Sequence, residues 1–286
     1  MKLYSLILIT AVLLLLQGCE IALDTDKVPR FESKLVVTAF LEPEKDVNTF
    51  RVSVNQPIFG DLGTVNQSGN IRAFISDGEK EIELNSQNEV IYFSYEDMKI
   101  VPGGKYFLRV SSDLGMEAKS ECTVPYIFDL KAVVDTFTVV TKTDGMLLKQ
   151  FKGEFAFSDS SGYENYYRVF ARLTTYKKYS SGGDTYKGDS FLSDGTQLLT
   201  DKSAGPDGRL KIPLNIGIYP AFYDSAFLKI YVMNTEKSYY LYHKSIENYE
   251  DGENPFAEPT PIYSNIEGGL GIFASCVTDS VIFRLR

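Results

Sequence analysis

The sequence predicts a mainly β protein: two immunoglobulin-like β-sandwich domains in series, the second carrying one covering helix. Three observations lead there. Short runs of alternating apolar and polar residues recur from residue 34 onward, and alternation with period two is the mark of a strand with one buried face. Turn chemistry separates those runs, as at Ser76-Asp77-Gly78 and Pro102-Gly103-Gly104. The aromatic content is 19 Tyr and 19 Phe with no Trp, and Tyr and Phe fit a pleated, half-buried surface.

The first domain is expected over residues 34–125. Its strands are read at Lys34–Leu41, Val47–Val54, Asn70–Ser76, Glu79–Leu84, Glu89–Tyr95, Lys105–Ser111 and Met116–Val124, and Pro125 closes the segment. Arg51-Val52-Ser53-Val54 and Tyr106-Phe107-Leu108-Arg109-Val110 alternate most clearly. Seven short strands at this spacing match an immunoglobulin-like sandwich.

The second domain is expected over residues 126–286. Lys131–Thr141, Gln150–Ser158, Tyr163–Thr175, Arg209–Asn215, Ala226–Met233 and Val277–Leu285 read as strands, with a turn at Asp159-Ser160-Ser161-Gly162. Residues 176–208 are rich in Gly, Ser, Asp and Lys and read as a long exposed excursion bearing Tyr176, Tyr179 and Tyr186. A helix is expected near 235–249, because Tyr239, Tyr242, Ile246 and Tyr249 form one stripe at spacings of three, four and three. Asn234 is its expected N-cap and Asp251-Gly252 its end. The plain reading of the stripe is packing onto a sheet.

Ahead of these domains the chain carries an export signal. Lys2 precedes the apolar run Leu3–Leu16, too short for a permanent span, and Leu16-Gln17-Gly18-Cys19 has the form of a lipobox. Residues 1–18 are therefore read as a lipoprotein signal peptide and Cys19 as the lipidated residue. Acyl chains there would bury dozens of methylenes at about 0.8 kcal/mol each, a lasting anchor to the membrane. Residues 19–33, with Glu20, Asp24 and Asp26, form an acidic tether. Removing the signal peptide leaves 268 residues with 28 Lys+Arg against 38 Asp+Glu. A net negative body excludes nucleic acid and anionic lipid surfaces as partners.

Two cysteines remain, Cys122 and Cys276. Outside the cytoplasm they can oxidise to a disulfide closing a loop of roughly 150 residues, nominally worth around 5 kcal/mol; the other reading is two buried thiols. No metal or other cofactor is expected, since two cysteines and the single His243 lack zinc-ligand spacing. Calcium ligands within Asp201–Asp207 lack the order of an EF-hand loop. There is no Gly-x-Ser-x-Gly elbow, His-Glu-x-x-His or phosphate loop, and Gly268-Gly269-Leu270-Gly271 reads as a tight turn. The expectation is a non-enzymatic protein.

Several stretches carry a resemblance: the lipobox with its acidic follow-up, Lys34-Leu35-Val36-Val37, Val52-Ser53-Val54-Asn55-Gln56-Pro57, Asn254-Pro255-Phe256-Ala257-Glu258-Pro259, and Ile262–Phe273. Together they resemble the Bacteroidota lipoproteins known as domain of unknown function 4249, over nearly the whole mature chain. The resemblance implies an accessory lipoprotein of a TonB-dependent outer-membrane transporter, and carries no functional residue with it. The function expected is a lipid-anchored, surface-exposed outer-membrane protein that captures a ligand, a small peptide or other nutrient, for such a transporter. The alternatives are a free-standing structural or adhesive surface lipoprotein and, further off, a surface hydrolase. The Tyr-bearing segment is the candidate contact for partner or ligand; its competing reading is a solvated insertion.

Overall fold

Leu35, Val37, Ala39 and Leu41 alternate with Val36, Thr38 and Phe40, and in strand β1 (Leu35–Leu41) the first set is fully buried while the second lies half-buried on the opposite face. The period-two rule of the pleated strand thus fixes which face meets the core. The computed structural model describes residues 31–56, 69–87, 90–94, 96–143, 145–158, 164–178, 185–250 and 261–285. The signal peptide, Cys19, most of the tether, Tyr179, the turn at Asp159–Gly162, Asp251-Gly252 and Asn254–Pro259 lie outside these residues.

After β1 come β2 (Val47–Val54), β3 (Ile71–Ser76), β4 (Glu81–Glu83), β5 (Asn85–Gln87), β6 (Val90–Ser94), β7 (Lys105–Ser112) and β8 (Glu117–Thr123). The second half holds β9 (Ala132–Thr143), β10 (Met146–Ser158), β11 (Tyr166–Lys178), β12 (Thr185–Thr200), β13 (Arg209–Ile218), β14 (Ser225–Thr235), helix α1 (Lys237–Glu250) and β15 (Leu270–Leu285). The described strands form three sheets, ordered β12-β11-β14-β15-β1-β2-β6-β5, β13-β10-β9 and β4-β3-β7-β8. The protein is mainly β, as its alternation predicts, and Ser33–Arg286 form one compact unit.

Two large cores form, the first mainly from residues before Pro125 and the second from residues after it. In the first, Leu35, Val37, Phe50 and Phe93 from one sheet meet Ile75, Tyr106, Val110 and Cys122 from the four-stranded sheet. In the second, Phe151, Phe155, Phe157, Leu210 and Ile212 of the three-stranded sheet meet Tyr167, Val169, Leu228 and Ile230. Each fully buried large apolar side chain contributes about 1.5–3 kcal/mol of transfer free energy.

The last strand belongs to both halves. Leu270–Ser275 pair in parallel with Val36–Leu41, and Cys276–Leu285 pair antiparallel with Ala226–Thr235. Sixteen residues at about 3.3 Å each give roughly 50 Å of strand, enough to run past both cores. Phe273 and Val277 enter the first core and Leu285 the second. Gly271 makes the parallel pairing with β1 feasible. Its φ is +103°, and a Cβ there would lie 2.0 Å from the Val37 carbonyl oxygen.

Where α1 lies over the large sheet, a third cluster gathers Met233, Tyr239, Ile272, Ala274 and Cys276 with Phe40, Phe170 and Tyr242. The helix therefore covers the zone where the halves meet, through Phe40 of β1 as well as residues of β11, β14 and β15. Tyr239 is buried and Tyr242 partly so, whereas Tyr249 is 55% exposed, since the predicted stripe outlasts the surface beneath it. Asn234 does not cap the helix. It is buried in β14, its Nδ2 donating to the Tyr126 carbonyl at 3.3 Å. Glu236 takes the capping position, its carbonyl accepting from Tyr240 N–H at 3.2 Å.

Two readings of local composition are corrected. Residues 176–208 are not one exposed excursion, because Thr185–Thr200 form β12 and pair antiparallel with Tyr166–Lys178. Gly, Ser and Asp are poor strand formers alone, and here the neighbouring strand supplies the hydrogen bonds that override propensity. The segment Gly268–Gly271 is only partly turn: β15 begins at Leu270, seven residues before its expected start.

Candidate functional site

The site begins with the order of groups along the free edge of β8, which ends the four-stranded sheet. In an antiparallel strand alternate residues direct N–H and C=O to the same side. Val124, following β8, bonds Gly103 and Gly104 on the β7 side, and Met116, preceding it, accepts from Ser112, so even-numbered residues face β7. Odd-numbered residues face outward. Lys119 exchanges both bonds with Glu267, at 2.9 and 2.8 Å. At Thr123 the carbonyl accepts from Ser275 Oγ at 2.9 Å, and the amide bonds the Glu236 carboxylate. Between them, no group among the described residues bonds the outward amide and carbonyl of Glu121.

This edge opens into a cleft of about 610 Å³. Phe107, Arg109, Lys119 and Glu121 form one wall, with Glu236 and Ser238 from the start of α1 and Asn265 and Glu267 from the approach to β15 opposite. Asn265 is held in place, since its amide group exchanges hydrogen bonds with Phe273 at 2.7 and 3.0 Å. Ser120 Oγ ties the same segment by donating to the Asn265 carbonyl at 2.9 Å. Arg109 is paired with Glu81 at 3.1 Å and Glu121 with Lys105 at 2.8 Å.

Glu236 is the chemically distinctive group. Its Oε2 is buried and has no hydrogen-bond partner among the described residues. Burial pushes its pKa up to about 7, the Thr123 and Ser275 backbone bonds opposing this and the Glu121 charge adding to it. A carboxyl of this kind exchanges its proton near neutrality and, when ionised, seeks a cation or a hydrogen-bond donor. A second cleft of about 490 Å³ is lined by Tyr126, Phe128, Tyr166 and Asn234, and it too borders Glu236.

The residues singled out by sequence do not converge there. Cys122 borders the first cleft, but its thiol is buried in the first core and Cys276 in the cluster under α1. Both are free, and burial pushes both thiol pKa values well up, so neither is an activated nucleophile. Tyr176 is half-buried in β11, edge-on to Phe227 at 5.8 Å. The backbone of Tyr186 lies in β12, opposite Lys177. His243 sits under the helix, stacked on Phe40 at 5.8 Å. Arg168 Nη1 donates to Tyr239 Oη at 2.8 Å and lies 3.3 Å from His243 Nε2. Arginine can only donate, so Nε2 accepts and the proton sits on Nδ1. Burial and then the Arg168 charge lower the His243 pKa to about 4, while burial raises Tyr239 to about 12. This polar knot is packed and self-satisfied. Glu236 escaped sequence reasoning because nothing in Asn234-Thr235-Glu236-Lys237 shows that its carboxyl turns inward. Among the described residues no group of His, Cys, Asp and Glu is arranged to hold a metal ion, and no helix is long and apolar enough to cross a membrane.

No curated protein matches the sequence. Among solved structures, the crystal structure of trypsin-activated alpha-2-macroglobulin from Escherichia coli aligns at 8% identity with a TM-score of 0.25, covering 74% of this chain and 15% of that one. The sequence profile of one family matches residues 20–281, and the chain accordingly belongs to the family described as Domain of unknown function (DUF4249).

Proposed function

We propose that this protein is a lipid-anchored, non-enzymatic accessory of the bacterial outer membrane that captures a ligand for a TonB-dependent transporter. In this reading Cys19 carries the lipid and the acidic tether holds the body at the cell surface. The body is two immunoglobulin-like β-sandwiches meeting near Pro125 and sharing β15. The observation that carries ligand capture is the cleft at the β8 edge, with a buried, unpaired carboxylate oxygen beside an unpaired stretch of backbone. Its volume falls within the range of small-ligand sites. Lipid anchoring supports the partnership physically, because confinement to a membrane raises the effective concentration of membrane partners.

A hydrolase reading draws on the same carboxyl, since Glu236 holds its proton near neutrality beside Glu121. Capture is the better reading because Oε2 is closed to solvent and the cleft needs only to bind. The test is purification of the lipidated protein from its native outer membrane in mild detergent. A TonB-dependent transporter in near-equal amount is expected. Recovery of the protein alone, together with unchanged nutrient uptake in a deletion strain, would contradict the role.

A further inference from the structure

Between Lys119 and Thr123 the free edge of β8 is closed at both ends and open at one residue. Glu267 seals Lys119, and Ser275 with Glu236 seals Thr123, leaving the N–H and C=O of Glu121 facing the cleft. Exposed strand edges recruit other strands, and proteins usually cover them. Here the covering stops for one rung. From Lys119 to Thr123 is four residues, roughly 13 Å of strand. A long strand from another chain would collide with both seals, whereas a guest of one to three residues fits between them.

The cleft also has a sign. Four carboxylates line it, Glu81, Glu121, Glu236 and Glu267, against two cations, Arg109 and Lys119. Glu81 is engaged by Arg109 at 3.1 Å and Glu121 by Lys105 at 2.8 Å, so Glu236 and Glu267 set the sign. Glu236, whose carboxyl bonds the Thr123 amide at one end of the gap, lines the same cleft.

We infer that this cleft binds a short basic peptide, one residue of which lies along Glu121 and exchanges two backbone hydrogen bonds with it, while its cationic group lies among the carboxylates of the lining, Glu236 and Glu267 foremost. The inference rests on the cleft being the ligand-capturing site and names the class of ligand. Backbone pairing supplies affinity without regard to side chain, as in other strand-addition sites. The acidic lining supplies selection, since an acidic guest would set like charges together. Filling the rung also completes the edge of the sheet.

Calorimetry on the full lipidated protein in detergent tests this with three capped probes: acetyl-Ala-Lys-Ala-amide, its Glu analogue, and the Lys peptide N-methylated at the central amide. The Lys peptide is expected to bind at least about tenfold more tightly than the Glu analogue, with N-methylation and the Glu236→Gln substitution each weakening it by about tenfold. The N-methyl probe needs no altered protein, so a folding defect in Glu236→Gln cannot mimic that result. No binding of the Lys peptide up to about 10 mM, or equal binding of all three probes, would overturn the inference. Co-purification with a transporter alongside failed peptide binding would remove the ligand class and leave the accessory role standing. Peptide binding without a transporter would do the reverse.

Discussion

Ser275 Oγ donates to the Thr123 carbonyl across 2.9 Å, joining the last residue of β8 to the middle of β15, 152 residues later in the chain. Ser275 is fully buried at the point where β15 leaves β1 and takes up β14. The bond helps hold the first half's edge strand against the strand common to both halves. It also forms one end of the gap at Glu121.

Ser275→Ala is therefore expected to destabilise the protein by about 1 kcal/mol, because it removes the hydrogen bond that the buried Ser275 hydroxyl makes to the Thr123 carbonyl. Urea denaturation monitored by tyrosine fluorescence reads this directly. An unchanged midpoint would mean that the crossing is held by packing alone.

Gly271→Ala should be far more damaging. The left-handed φ and the 2.0 Å approach to the Val37 oxygen leave no room for a methyl, and the parallel β1–β15 pairing must give way. A loss of about 3 kcal/mol or more is expected. A soluble variant with an unaltered melting temperature would refute this account of how the chain ends are joined.

Two buried groups give opposite pH dependences. Glu236 ionises near 4.5 when unfolded and near 7 when folded, so its contribution is complete below pH 4.5, falls as pH rises to 7 and then levels. The upper bound is roughly 3–3.5 kcal/mol, and Glu236→Gln should gain stability over the wild type mainly above pH 7. His243 behaves inversely. It gains a proton below about 6.5 when unfolded but only near 4 when folded, so stability is lost as pH falls through that window. His243→Gln should flatten the acid side. Both slopes overlap between pH 4.5 and 6.5, so each variant needs its own melting series.

Cys19→Ser is expected to abolish acyl-chain labelling and to release the protein into the soluble fraction, since no apolar helix among the described residues would retain it. Full membrane retention of that variant would rule out the lipid anchor.

The Tyr-bearing hairpin can be shortened without disturbing its register. Lys177 pairs with Tyr186 and Lys178 with Thr185, so deleting 177–186 and bridging with Gly-Ser leaves the Tyr176–Lys187 rung intact. If Tyr179 and Tyr186 contact the transporter, co-purification should fall while the melting temperature holds. Unchanged co-purification and growth would remove the hairpin from the mechanism.

Most strands of the first half were legible in the sequence because local rules determine them, Asn85–Gln87 being the exception. Alternation at Leu35–Leu41 and Tyr106–Val110 specifies a buried face whatever sheet the strand joins, and Val47–Val54 is found with its expected limits. The apolar run ending in Leu-Gln-Gly-Cys is likewise a local signal, complete in sequence. β12 was not legible, because Gly, Ser and Asp there hide a strand that only its pairing with β11 stabilises. Glu236 reads as a solvated acid between a strand and a helix. It becomes a buried carboxyl with a neutral-range pKa only when Thr123 and Ser275 arrive from 113 residues before and 39 after. The gap at Glu121 is less visible still, for it consists of backbone groups that every residue has, made distinctive by what Glu267 and Thr123 already bond. Sequence alone determined the faces of the strands it marks by alternation. Tertiary structure decided that one C-terminal strand serves two cores and leaves the Glu121 rung of β8 open between two sealed ones, because strand pairing is made between residues far apart in the chain and no local pattern encodes the partner.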